Sequence, residues 1–208
     1  MIGLSDFLIV AGAYLLGSIP SGFLMAKARG VDITKVGSGN IGATNAFRVL
    51  GRTAGTVVLL SDALKGFLAV QLLPAFITTA PPEAHHMLAG LCVILGHNYT
   101  CWLKFKGGKG IATSAGVLLA LTPAGLCLAL SGWLGAFFIT KYVSVASLTA
   151  AAVLPVGVWM TGGTQRMILL TCFFSALAIF KHRSNIHRLW LGTENRIGSK
   201  KPSPPSTQ

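Results

Sequence analysis

Apolar residues in this chain fall in long blocks, unlike the alternating stretches of a half-buried sheet or the one-faced stripes of a soluble helix. The blocks run over residues 4–25, 54–78, 86–103, 111–122, 123–140, 143–161 and 166–180. A bilayer core of about 30 Å takes about 20 apolar residues per helical span, and an open sheet edge finds no hydrogen-bond partner in lipid. The pattern therefore predicts an all-α, polytopic integral membrane protein with seven transmembrane helices. Only Thr122-Pro123 separates the fourth and fifth blocks, so two readings of that break stand: two helices, or one bent element.

The polar segments between the blocks carry charge on one side. With the amino terminus outside and the carboxyl terminus cytoplasmic, the cytoplasmic segments hold Lys27, Arg29, Lys35, Arg48 and Arg52, then Lys104, Lys106 and Lys109, then Lys141. Lys181, Arg183, Arg188, Arg196, Lys200 and Lys201 complete the set, which is 15 of the 17 basic residues. Cations near span ends favour the cytoplasmic face, so this partition supports seven spans. Arg166 falls at an outer end and Lys65 within the second block.

Composition agrees, with 52% apolar and 11% charged residues, far from a soluble domain. Ala11-Gly12-Ala13 resembles a processing site, but no basic segment precedes the first block, which reads as a retained span. Cys92, Cys101, Cys127 and Cys172 lie scattered in apolar stretches without metal-ligand or disulfide spacing. Residues 1–197 read as one domain, and the Ser, Pro and Lys-rich stretch 198–208 as a disordered cytoplasmic tail.

A net charge of +12 fits a positive-inside protein at an anionic membrane and suggests no nucleic-acid partner. The cations are interleaved with glycines and small polar residues, however, and such surfaces hold phosphate through backbone N–H groups as well as charge. The first segment is GSGNIGATNAFR, Gly37 to Arg48. Its Gly37, Gly39 and Gly42 have dinucleotide-loop spacing, but no strand precedes them, and Asp62, at the right distance for a ribose contact, lies inside an apolar block. What remains is a backbone that can approach an anion, with Ser38, Asn40, Thr44 and Asn45 supplying neutral hydrogen bonds. A plain glycine-rich turn is the competing reading.

The second segment, KFKGGKGIAT, places Lys104, Lys106, Gly107, Gly108, Lys109 and Gly110 at the start of a block without Walker spacing. It reads as a phosphate cradle at a helix start; an interfacial anchor would explain the lysines but not the glycines. The third, KHRSNIHRLWLGTE, brings His182, Asn185, His187 and Arg188. The chain has only five carboxylates, so His182 is the best-placed group titrating near neutrality. Asp62 and Lys65 share a face of the second block, as an intrahelical ion pair or as substrate contacts, and His97, Ser144 and Ser147 carry the same two readings.

GSIPSG at Gly17 to Gly22, SGNIGATN at Ser38 to Asn45, DALKG at Asp62 to Gly66, GHNYTCWLKFKGGKGIAT at Gly96 to Thr113 and HRSNIHRLWLGTE at His182 to Glu194 together resemble the PlsY family. Members of that family are acyl-phosphate:glycerol-3-phosphate acyltransferases. One departure is Asn98-Tyr99-Thr100, where members often carry an apolar stretch containing Phe-Pro. The resemblance implies transfer of a fatty acyl group from acyl phosphate to the primary hydroxyl of glycerol 3-phosphate in the bacterial inner membrane, without metal or cofactor. It marks Ser38, Arg48, Lys109, His182 and Asn185 as active and the Gly107–Gly110 loop as the glycerol phosphate site, with Glu194 structural. Asp62 is also expected to be structural, and the protein to act as a monomer among membrane lipids. A transporter would also want cationic loops on a helical bundle, but would normally bind its substrate near the bilayer midplane.

Overall fold

The computed structural model describes residues 3–79 and 81–198, so most of the expected tail lies outside the described residues. Among the described residues every regular element is helical: α1 (Leu4–Ser18), α2 (Ser21–Lys27), α3 (Ala43–Leu50), α4 (Arg52–Ile77), α5 (Glu83–Asn98), α6 (Ile111–Leu121), α7 (Pro123–Thr140), α8 (Val143–Met160), α9 (Gln165–Lys181) and α10 (Arg183–Trp190), with a 3₁₀ turn at Cys101–Leu103.

Each apolar block became helix, and local chemistry set the breaks. The first block splits at Ile19-Pro20, where proline cannot continue the hydrogen-bond ladder. The third ends at Asn98, five residues early against the expected 103, because the Asn98-Tyr99-Thr100 turn leaves the helix. The fourth and fifth are separate helices, with Pro123 at the first position of α7. By length and composition four segments can cross a membrane: Leu4–Lys27, α4, α7 and α8. A fifth arises if α9 and α10, bent by 54°, count as one. At 16 and 11 residues, α5 and α6 fall short of a full span.

The helices pack in two groups. In the first, α1 lies on α5 and α4, while α4 also holds α6 and α3; in the second, α7 lies on α8 and α8 on α9. Within the first group backbones approach closely through small residues, as in other membrane helix pairs. A Cβ at Gly17 would lie 2.1 Å from the Val93 oxygen, and one at Gly96 2.2 Å from the Tyr14 oxygen. Gly116 of α6 meets the Ala63 carbonyl of α4 in the same way. Ile9, Val93, Val117, Val158 and Phe174 form the buried core, while Phe76, Ile139 and Trp190 lie on the outside, the inverse of a water-facing surface. Segment 28–42, segment 99–110 and α10 border one cavity between the two groups.

Candidate active site

The 37–45 segment is a folded turn held by Asn45. Its buried side-chain oxygen accepts the Ser38 N–H at 2.9 Å, and its amide nitrogen donates to the carbonyls of Ile33 (3.3 Å) and Val36 (3.1 Å). Gly37, with φ of 63°, can fold against it only without a side chain, because a Cβ there would lie 2.2 Å from the Asn45 oxygen. The Asn40 oxygen accepts the Gly42 N–H at 2.9 Å. Ser38, Asn40, Thr44 and Arg48 consequently line the cavity together with the start of α3, which no side chain caps.

The 104–110 segment is clamped to the end of α5. Gly107 donates its N–H to the Asn98 carbonyl at 3.2 Å and Gly108 to the His97 carbonyl at 3.1 Å. The departing turn supplies the other anchors: Tyr14 Oη donates to the Tyr99 carbonyl (2.7 Å), Thr100 Oγ1 to the Ser18 carbonyl (2.6 Å), and Lys181 Nζ to the Asn98 carbonyl (2.9 Å). Asn98-Tyr99-Thr100 thus joins α1, α5, α9 and the glycine-lysine loop. From that loop Lys109 reaches the cavity wall, and its Nζ donates to Asn185 Oδ1.

On the opposite wall, Asn185 Nδ2 donates to Glu194 Oε1 and Arg188 Nε to Glu194 Oε2, both at 2.7 Å. Lys109, Asn185, Glu194 and Arg188 form one connected row. Burial pushes the Lys109 ammonium down to about 8; Arg188, Arg48 and Lys181 push the same way, and Glu194 opposes them. Burial works to raise Glu194, but hydrogen bonds including those from Asn185 and Arg188 outweigh it and hold the carboxyl below its ordinary range. His182, just past α9, is pushed down to about 4 by burial and then by the Lys109 charge. Its Nδ1 lies 2.8 Å from the Ala178 carbonyl, which can only accept, so the proton of the neutral ring sits on Nδ1.

The cavity measures about 350 Å³. Arg48, Lys109, His182, Asn185 and Glu194 line it at the polar side, with Ser144 and Ser147 from α8; Leu59, Ile111, Ala115, Leu130 and Trp133 line the rest. Asp62 and His97 reach it from within the first helical group. The expected pair from the second block is present, with Lys65 Nζ 2.8 Å from Asp62 Oδ1, and the two side chains sit differently with respect to the cavity. Lys65, expected to bind substrate, is not among the lining residues and donates at 2.8 Å to the Ile19 carbonyl at the α1–α2 break, which also accepts the Ser21 N–H at 3.1 Å. Asp62, expected to be only structural, is on the wall, where Oδ1 accepts from Ser21 Oγ at 3.1 Å and lies 3.6 Å from His97 Nδ1.

Gly37, Gly39, Lys104, Lys106, Gly107 and Gly108 also lie off the cavity lining. The glycines shape the two loops, and the side chains of Lys104 and Lys106 are exposed. Gly110 does line the cavity, with φ of 83° at the start of α6. Sequence reasoning missed Asn195 and Trp133. Asn195 follows Glu194 directly, so adjacency to the third segment was an available signal; Trp133 sits mid-block and offered none.

Residues 7–192 match the family profile described as glycerol-3-phosphate acyltransferase. Curated proteins of that description from Geotalea daltonii and Geobacter metallireducens are 47% and 48% identical; the matches cover 92% and 93% of this chain and 97% and 98% of theirs. A crystal structure of PlsY, an integral membrane glycerol 3-phosphate acyltransferase, in its glycerol 3-phosphate form superposes with a TM-score of 0.86 at 40% identity, covering 93% of this chain and 96% of that one. Its lysophosphatidic acid form gives 0.84 over the same shares.

Proposed function

Given that the chain belongs to the glycerol-3-phosphate acyltransferase family, we propose that it moves a fatty acyl group from acyl phosphate to the primary hydroxyl of glycerol 3-phosphate. The products are 1-acylglycerol 3-phosphate and inorganic phosphate, the first step of phospholipid synthesis. The observation that carries this reading is the divided cavity: cations and two uncapped helix starts, at Gly42 and Gly110, border the same space as an apolar wall from α4, α6 and α7. Both substrates are anions, and only the donor carries a long apolar chain, so one such cavity suits the pair.

In this mechanism the hydroxyl oxygen attacks the acyl carbonyl carbon, forming the ester bond, and the bond between that carbon and the phosphate oxygen breaks. Phosphate is a good leaving group, so the protein mainly positions the reactants and neutralises charge. Arg48 offers a planar two-pronged contact to phosphate, and Lys109 a point charge oriented by Asn185. Ser38 serves as a hydrogen-bond donor, since among the described residues no base is bonded to its hydroxyl and its bond to Asn45 runs through the backbone N–H. A histidine pushed down to about 4 is a weak base at neutral pH, which supports the departing phosphate as proton acceptor and leaves the neutral ring, protonated on Nδ1, to accept a hydrogen bond through Nε2.

The active face is proposed to be cytoplasmic, on a monomer with seven membrane segments and the amino terminus outside. After replacement of the native cysteines, a cysteine at Thr79 should react with an impermeant thiol reagent on intact cells, and one at Ser184 only after lysis. Labelling of both from outside would refute the orientation. For the reaction, purified protein should convert acyl phosphate and glycerol 3-phosphate to the 1-acyl product with equimolar phosphate release, while acyl-CoA fails as donor. Turnover with acyl-CoA, phosphate release indifferent to glycerol 3-phosphate, or glycerol 3-phosphate flux without acylation would each overturn the proposal.

The Lys109 row adds a test of sign. Glu194 is the group that raises the ammonium against burial and its cationic neighbours, so Glu194→Gln should lower it further. The charged form is required, and it is lost as pH rises through the pKa. The alkaline limb of kcat/KM should therefore shift to lower pH in this variant; an unmoved limb would separate Glu194 from Lys109.

A further inference from the structure

Two lysines of the second polar segment have no part in the cavity. Lys104 and Lys106 are exposed and lie off its lining, and among the described residues neither side chain is hydrogen-bonded or ion-paired. The chain offers them no acid. Of its five carboxylates, Asp6, Asp32, Asp62 and Glu194 are taken by His85, Lys35, Lys65 and Arg188, and Glu83 opens α5 at the opposite end. Any anion that meets these two cations comes from outside the chain.

The turn that carries them is shaped around one inward and two outward apolar side chains. Lys104 and Phe105 both take left-handed backbone, with φ of 52° and 61°, which residues bearing a side chain hold only where their surroundings enforce it. Here the Thr100 carbonyl accepts the N–H of Leu103 (3.3 Å) and of Phe105 (3.0 Å), and the Leu103 carbonyl accepts that of Lys106 (3.0 Å). Leu103 packs against the buried cluster of Ala26, Ile33, Ile41 and Val58, whereas Trp102 and Phe105 are 65% and 62% exposed.

With 16 residues, α5 measures about 24 Å and ends short of a bilayer core of about 30 Å. The turn stands where the missing apolar length is needed. It supplies a tryptophan and a phenylalanine beside two lysines, the composition of a membrane–water interface. We propose that residues 101–106 form a docking surface for an anionic phospholipid of the adjoining leaflet. Trp102 and Phe105 lie against its glycerol and upper acyl region, and Lys104 and Lys106 meet its phosphate and charged headgroup. The contact holds the start of the loop that continues into Gly107 and Lys109. It uses no side chain of the cavity wall, and it stands whether or not the donor is acyl phosphate.

The test keeps Trp102 as the single tryptophan, through Trp133→Phe, Trp159→Phe and Trp190→Phe. This protein is placed in phosphatidylcholine vesicles containing the same minor share of either brominated phosphatidylglycerol or brominated phosphatidylcholine. Trp102 fluorescence should be quenched far more by the anionic lipid. A lysine at the membrane surface favours an anionic lipid by about fivefold, so Lys104→Gln/Lys106→Gln should cut the preference by about 25-fold, while Lys104→Arg/Lys106→Arg should keep it. In 1 M NaCl, where exposed charges are screened beyond about 3 Å, the preference should shrink. If the single-tryptophan protein does not fold, native mass spectrometry of the wild-type protein from equal mixtures of the two lipids takes its place, with retained phosphatidylglycerol lost in Lys104→Gln/Lys106→Gln. Equal quenching by the two lipids, no quenching by either, or a preference undiminished in Lys104→Gln/Lys106→Gln would overturn the proposal.

Discussion

Lys109→Ala should lower kcat/KM for glycerol 3-phosphate by two to three orders of magnitude, about the loss seen when one preorganised charge-stabilising contact is removed from a water-poor site. The wild-type pH profile should show why. With the ammonium pushed down to about 8 by burial, the free enzyme holds a cation at Lys109 below that pH and a neutral amine above it, so kcat/KM should fall along an alkaline limb near 8. Bound phosphate favours the charged form, so the corresponding limb in kcat should lie higher. Lys109→Arg separates charge from titration: guanidinium stays protonated across the range, and any activity it retains should lack this limb. A limb near 8 that persists in Lys109→Arg would assign it to another group. Equal activity of wild type and Lys109→Ala would remove Lys109 from the site.

The fold was legible because lipid is a demanding solvent: once the apolar blocks were marked, helices had to follow, and the break at Pro123 was visible as a residue that cannot extend a ladder, whereas the one at Pro20 lay inside a block read as a single span. Length was less legible. Nothing in the hydropathy of the third block signals that α5 stops at Asn98, because the stop depends on bonds to Ser18, Tyr14 and Lys181, distant in the chain. The same limit governs the site. Polar, glycine-bearing segments marked the cavity's cationic side, but not which of their residues face it. Asn45 and Gly37 build the turn that places Ser38, and Lys65 serves the Ile19 carbonyl at a helix break, roles that exist only after α1, α2 and α4 have packed. Trp133 was invisible for the opposite reason, since an aromatic in an apolar block looks like lipid-facing surface until α7 and α8 close beside the cavity.

Gly108→Ala should be nearly as damaging as losing the lysine beside it, although glycine supplies no chemical group. A Cβ at this position would lie 2.1 Å from His97 Nε2, a ring that is itself buried against Asp62. Either the ring or the loop must shift, and the loop carries Lys109. Misplacing a positioned group by about 1 Å can cost about a hundredfold, so kcat/KM should fall by that factor while helical content and detergent-solubilised yield stay near wild type. Gly135→Ala on α7 is the matched control, because a Cβ there meets nothing within 4 Å and alanine favours the helix; it should leave activity unchanged. The mechanism makes a stricter demand on the pair. In a His97→Ala background the obstructing ring is gone, so adding Gly108→Ala should cost much less than it does in the wild type, a non-additivity expected only of residues in contact. Equal losses in the two backgrounds would show that the glycine acts through something other than His97, and the clamp between the end of α5 and the lysine loop would then be misassigned.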